Sequence, residues 1–189
     1  MDRAKIEQGI RLLLEGIGED PERDGLLETP RRVADMYEEI IVCEPEDLAC
    51  IVAPMPSDKH QEMVLVRDIV FHSICEHHLA PFFWVAHVAY IPSKNGAITG
   101  ISKIVRLVRT VAGRLQLQER LTTTIAETLM ESLHPAGVLV LIQAEHLCMT
   151  MRGVRAPGSR VVTSAVRGIF QANAATRAEV LALIEAPNH

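Results

Sequence analysis

Two stretches of helical periodicity stand back to back between Ile101 and Leu133, and each flank carries a pair of runs rich in β-branched residues. Ile101, Ile104, Val105, Val108, Val111, Ala112 and Leu115 recur at three- and four-residue spacing, the stripe of an amphipathic helix. Leu121, Ile125, Leu129 and Leu133 continue that period in a second helix, stopped at His134-Pro135-Ala136-Gly137. Upstream, residues 63–74 read as a strand and 85–91 as its hairpin partner, with Ser93-Lys94-Asn95-Gly96 as the turn that follows. Downstream, 138–152 and 160–170 read as a second strand pair, and 174–184 as a closing helix. The order β-β-α-α-β-β admits few architectures. It predicts an α+β fold, an antiparallel four-stranded sheet with its helices on one face.

The first third is different in kind. Ile6, Ile10, Leu13, Leu14 and Ile17 follow helical spacing and stop at Gly16 to Gly18. Thr29-Pro30 opens a second helix, Thr as N-cap and Pro at the first position, with Val33, Met36, Tyr37 and Ile40 as its stripe. From Pro45 to Gln61 the chain reads as loop. We therefore expect an N-terminal helical segment, 1–62, and a second part, 63–189, acting as one functional unit. The net charge of −5 divides unevenly between them, −9 in the first and +4 in the second, so an anionic ligand should prefer the second. Nucleic acid fits poorly: basic runs are absent, aromatics make up 4% and the pI is about 5.9. No apolar run approaches the ~20 residues of a membrane span, and the first residues show no signal-peptide pattern. Four cysteines at irregular spacing suit a reducing compartment. A cytoplasmic protein without a membrane segment is expected.

Chemistry concentrates at Cys75-Glu76-His77-His78. A cysteine and a histidine three apart in a turn can point at one ion, and a matching pair lies downstream in His146-Leu147-Cys148. Read as a strand, that segment sends His146, Cys148, Thr150 and Arg152 to one face and Leu147, Met149 and Met151 to the other. Cys75, His78 and Cys148 offer three soft or borderline donors, a set suited to zinc. Three protein ligands leave a position open, as catalytic zinc does, and His77 and His146 then read as general acid and base. A closed structural site that uses His77 or His146 as a fourth ligand is the competing arrangement. Cys43 and Cys50 read as ordinary thiols. His60, His72, His87, His134 and His189 default to structural or solvated roles.

Lys103 and Arg106 share one face of the first turns of the Ile101 helix, where backbone N–H groups also favour anions. A solvated basic face is the plainer alternative. Gly96 to Lys103 echoes a phosphate loop but fails its GxxxxGK[ST] pattern, since Ile101 follows Gly100. Gln118-Glu119-Arg120 opens the next helix with a carboxylate able to accept two N–H bonds from a purine edge, beside an amide.

Five separated motifs in register carry a family resemblance. Cys75-Glu76-His77-His78-Leu79-Ala80-Pro81-Phe82, His87-Val88-Ala89-Tyr90-Ile91-Pro92, Gly100-Ile101-Ser102-Lys103, Gln116-Leu117-Gln118-Glu119-Arg120-Leu121-Thr122 and His146-Leu147-Cys148-Met149 resemble GTP cyclohydrolase I. The stretch from Gly25 to Ala34 is similar to that family's N-terminal signature. The resemblance implies hydrolysis of GTP to formate and 7,8-dihydroneopterin triphosphate, the entry to tetrahydrofolate and pterin biosynthesis. It implies Zn2+ on Cys75, His78 and Cys148, with attack of its water at guanine C8. His146 would be acid/base at the purine ring nitrogen and His77 its assistant. Glu119 and Gln118 would anchor guanine and Ser102 would contact sugar or phosphate. Lys103, Arg106, Arg152 and Arg32 would hold the triphosphate, Arg32 reaching in from a neighbouring subunit.

The family fold is the tunnelling fold, whose sheets join into a barrel in a homo-oligomer, typically a decamer of two stacked pentamers with shared sites. Trp84 and Gly113-Arg114-Leu115 depart from the family pattern at positions that touch no proposed ligand. The short N-terminal extension predicts no regulatory segment. Another purine or pterin reaction on the same fold, and a metal-stabilised ring without catalysis, are the alternative functions.

Overall fold

A computed structural model of the chain describes residues 1–41, 48–56, 61–94 and 97–187. Asn95 and Gly96 of the expected turn, Cys43, His60 and His189 lie outside the described residues. The chain divides into two compact units, Met1–Glu44 and Pro45–His189.

In the first unit, α1 (Arg3–Gly16) packs on α2 (Thr29–Ile40). Asp2 caps α1 by accepting the Lys5 N–H, and Arg3 ties the two helices together through Asp35 and Glu38. Thr29 is not the N-cap of α2. Glu28 takes that position with helical backbone angles and no side-chain cap bond, so Thr29 and Pro30 fall inside the first turn. Glu28 instead pairs with Arg31.

The second unit is an α+β assembly around an antiparallel sheet. Its long strands are β2 (Val64–Cys75), β3 (Pro81–Ile91), β6 (Gly137–His146) and β7 (Val161–Gly168), in the spatial order β2-β3-β6-β7. The expected four-stranded sheet gains a fifth, β5 (Leu115–Gln116), parallel to the end of β2. The reason lies in helix α4 (Ile101–Ala112), which stops at Gly113 rather than running to Leu115. The freed residues extend beside β2, where Glu76 N–H donates to the Gln116 carbonyl.

A small second sheet joins β1 (Met55–Pro56) to β4 (Ala97–Ile98), and α3 (Leu48–Val52) precedes it. α3 and β1 lie in the stretch expected to be loop. Five residues are too few to show a helical period, yet α3 buries Ile51 and Val52.

Along α4, Ile104, Leu107, Val108, Val111 and Ala112 are buried; along α5 (Gln118–Leu133), Leu121, Ile125, Ala126, Leu129 and Leu133 are. They meet Phe71, Ala86, Val88, Tyr90, Val138, Val140 and Ile142 from one sheet face. Truncating one such Leu to Ala would cost about 2–5 kcal/mol. The element order predicts helices on one face only, but the structure places them on both. Strand alternation turns Ala89 and Leu139 the other way, and there Phe170 of α7 (Ile169–Ala172) and Val180 of α8 (Ala174–Glu185) cover them.

At the edge where α7 begins, Gly168 has φ +59° and its missing Cβ would stand 2.2 Å from the Ala136 carbonyl oxygen, so only glycine fits. Among the described residues no helix is long and apolar enough to cross a membrane.

Strand directions position everything that follows. β2 and β6 both run antiparallel to β3, so both finish at the edge where β3 begins.

Candidate active site

Cys75 is the last residue of β2, and the five-residue connection to β3 carries Glu76, His77 and His78. That turn is closed by hydrogen bonds from Cys75 N–H to Ala80 O and from Leu79 N–H to Cys75 O, with Leu79 at φ +53°. Arg120 of α5 braces it by pairing with Glu76 and holding Gln116 Oε1.

His146 ends β6 directly opposite Phe82 of β3. The chain does not continue as a strand. Residues Leu147–Thr150 form one helical turn, α6, so the expected alternation of His146, Cys148, Thr150 and Arg152 on one strand face does not hold. The turn still delivers Cys148 beside Cys75.

The Cys75 and Cys148 sulfurs are 4.0 Å apart, and both lie within 4.8 Å of a His78 ring nitrogen. Disulfide bonding needs about 2.05 Å. Two thiolates on one tetrahedral zinc, each at about 2.3 Å, stand about 3.8 Å apart. The donor set therefore fits a small, borderline-soft cation. Among the described residues the cluster has only these three members; neither His77 nor His146 completes it. A tetrahedral ion on these three donors would have no fourth protein ligand among the described residues. Burial and the neighbouring Cys75 push the Cys148 thiol up in the metal-free chain. A bound cation reverses this, since a coordinating thiol is deprotonated.

A cleft of about 420 Å³ opens over the cluster, lined by Cys75, His77, His78, Gln118, Glu119, His146, Cys148 and their neighbours. Glu119 is exposed there. His146 lies flat on Phe82, ring centroids 4.6 Å apart and planes within 5°. Its Nε2 is 2.7 Å from Gln118 Oε1. Burial lowers its basicity, partly offset by the Glu119 charge. Arg152 reaches His78, 3.3 Å from Nε2.

Gln118 is buried in the cleft wall. It is 1% exposed, and its Nε2 already faces Ile142 O, Val161 O and Thr163 Oγ1, so its side chain has no free polar group for guanine.

The α4 cations stand apart from this cleft. Ser102 and Arg106 are exposed and Lys103 half-buried in the first turns of α4, and none lines the cleft. Among the described residues the Lys103 and Arg106 side chains make no ion pair. Arg32 is exposed on α2 in the first unit. Phe82, Gln116 and Arg120 support the site and escaped the sequence reading as functional residues. Only the register Phe82↔His146 could have revealed the first.

The family model for GTP cyclohydrolase I matches residues 6–185. GTP cyclohydrolase 1 of Geobacillus kaustophilus is 57% identical over 183 residues, 97% of each chain. That of Bacillus subtilis is 57% identical over 181 residues, 96% of this chain and 95% of its own. The Pelotomaculum thermopropionicum protein of the same name is 59% identical over 184 residues, 97% of each. Among solved structures, the apo form of the archaeosine synthase QueF-Like aligns with 56% of this chain and 93% of its own, at 22% identity and a TM-score of 0.44.

Proposed function

The chain belongs to the GTP cyclohydrolase I family, and on that premise we propose how its own residues divide the work of hydrolysing GTP to formate and 7,8-dihydroneopterin triphosphate. The activity is a hydrolase reaction on GTP that feeds pterin and folate biosynthesis. The observation that supports the division is the three-donor cluster, set in a cleft that also holds two histidines and an exposed carboxylate.

Cys75, His78 and Cys148 would hold a zinc ion, which when bound there would supply Lewis acidity. Glu119 takes the guanine edge through two N–H bonds, which turns C8 toward the cluster. His146 carries the proton for the purine ring nitrogen as the C8–N bond opens. His77, exposed at the rim, handles proton movement on the ribose side.

The triphosphate goes to Ser102, Lys103, Arg106, Arg152 and Arg32. Because the α4 cations do not line their own chain's cleft, they serve the cleft of a neighbouring copy, and Arg32 does the same. This reading makes assembly a condition of activity. Tunnelling-fold sheets joined into a barrel, as a homo-oligomer of two stacked pentamers, provide such neighbours. Joining also covers the outer strand edges that a lone sheet leaves unpaired. Segment 1–62 and the catalytic part 63–189 then work as one functional unit.

The test is to incubate purified, zinc-loaded protein with GTP and measure formate and dihydroneopterin triphosphate together, with and without a chelator. Equal formation of both, abolished by the chelator, is expected. An unchanged rate in the chelator would overturn the metal assignment. Formate without the pterin would mean that the chain stops at ring opening.

A further inference from the structure

We propose that Gln118 is a positioning residue, which grips the His146 ring through its Nε2–H and leaves Nδ1 as the nitrogen free to face substrate. The proposal rests on the reading of His146 as the proton carrier, and it gives Gln118 a task other than binding guanine.

The argument is one of hydrogen-bond direction. A side-chain amide has one end that only donates and one that only accepts. The donating end of Gln118 is identified by its neighbours. Ile142 O at 3.1 Å and Val161 O at 3.0 Å are backbone carbonyls, which cannot donate, so Nε2 must face them. Thr163 Oγ1, at 3.0 Å, receives from the same nitrogen.

The threonines close the circuit. Thr122 Oγ1–H donates to the Gln118 carbonyl at 2.7 Å, which leaves Thr122 to accept from Thr163 at 2.6 Å. Thr163 is then free to accept from Gln118. With the amide so oriented, Oε1 points at His146 and can only accept. A ring nitrogen 2.7 Å from it must carry the hydrogen. Neutral His146 is therefore the Nε2–H tautomer.

Two contacts thus fix two degrees of freedom. Phe82, fully buried beneath the ring, sets the plane of the imidazole. Gln118 sets its rotation within that plane. A proton carrier displaced by about 1 Å can lose on the order of 100-fold in rate, so a buried, fully satisfied amide is well used here. A guanine anchor would need a polar atom open to the cleft, and Gln118 offers none.

The experiment compares zinc-loaded full-length Gln118→Met, Gln118→Glu and His146→Ala with the unmodified chain. Methionine keeps the length of glutamine without either amide atom; glutamate keeps an acceptor for His146. Gln118→Met is expected to lower kcat about 10- to 100-fold while KM for GTP and zinc content stay unchanged. Gln118→Glu should restore part of the loss. Adding Gln118→Met to His146→Ala should cost nothing further, since there is no ring left to position.

A raised KM with kcat intact would return Gln118 to guanine and overturn the proposal. Neutron diffraction on the unmodified protein decides independently of any variant's folding. A hydrogen on His146 Nε2 toward Gln118 is expected, and one on Nδ1 alone would overturn it. Full activity of His146→Ala would instead sink the role of His146, while the neutron result would still decide whether Gln118 holds the ring.

Discussion

Two imidazoles on neighbouring strands have much in common and do different work. His146 ends β6 and His87 sits inside β3, and burial lowers the basicity of both. Their hydrogen bonds run in opposite directions. His146 gives a ring N–H to a side-chain carbonyl, whereas His87 Nδ1 accepts the Asp68 backbone N–H at 3.2 Å. That amide lies where the β2–β3 register shifts, and Asp68 itself has φ +59°. His87, 3% exposed, fastens an irregularity in the sheet and does not line the cleft. Depressed basicity alone does not mark a working histidine. A place in the cleft beside the sulfur donors does.

The largest expected effect sharpens the cleft side of that contrast. Cys75→Ser and Cys148→Ser should each lose the metal, and turnover should fall on the order of 1,000-fold or more, the several kcal/mol that a Lewis acid supplies. Metal analysis and formate release on the same samples check it. Native turnover without bound metal would break the division of labour. At the other histidine the expectation reverses. His87→Phe removes the acceptor for the Asp68 N–H and should lower stability by about 1–3 kcal/mol in urea unfolding, with kcat and KM unchanged in the folded fraction. A variant of native stability but slow turnover would put His87 in the chemistry and dissolve the comparison.

The sequence disclosed the two regions unequally. Cys75, His78 and Cys148 were legible because metal donors at short spacing are chemically specific, even though the inferred strand through Cys148 is a helical turn. The conclusion survived its wrong route, since a strand end and a single helical turn both bring Cys148 to the same edge. The α4 and α5 cores were legible for a plainer reason: twelve residues or more show a 3.6 period. What stayed hidden depends on register and on hydrogen-bond direction. Nothing in a one-dimensional pattern says that Phe82 lies under His146, that Gln118 is buried rather than offered to a ligand, or that His87 receives a backbone N–H. Nor does it show α7 and α8 crossing to the far sheet face, because that depends on which strand residues alternate outward there.

The smallest effect concerns acid stability, and its sign follows from the direction of the shift at His87. Burial holds the folded-state pKa below the unfolded value of about 6.5; Asp68 opposes this and Arg67 adds to it. In the window between the two values the unfolded chain binds more protons than the folded one. The His87 contribution is thus fully present above the unfolded pKa. It declines as pH falls through about 6.5, until the folded group is protonated as well, at a slope of at most about 1.4 kcal/mol per pH unit. Protonating Nδ1 also ends its ability to accept from Asp68, so the sheet irregularity loosens with the same proton. His87→Asn keeps an acceptor near the Nδ1 position without a titrating ring. Urea unfolding of the metal-free chain between pH 7 and 5 should therefore show a shallower decline in the variant than in the unmodified chain. His146, lowered by burial too, contributes a decline of the same sign to both and cancels in the difference. Parallel declines in the two proteins would mean that His87 is equally easy to protonate folded and unfolded, and its burial would then explain nothing about pH.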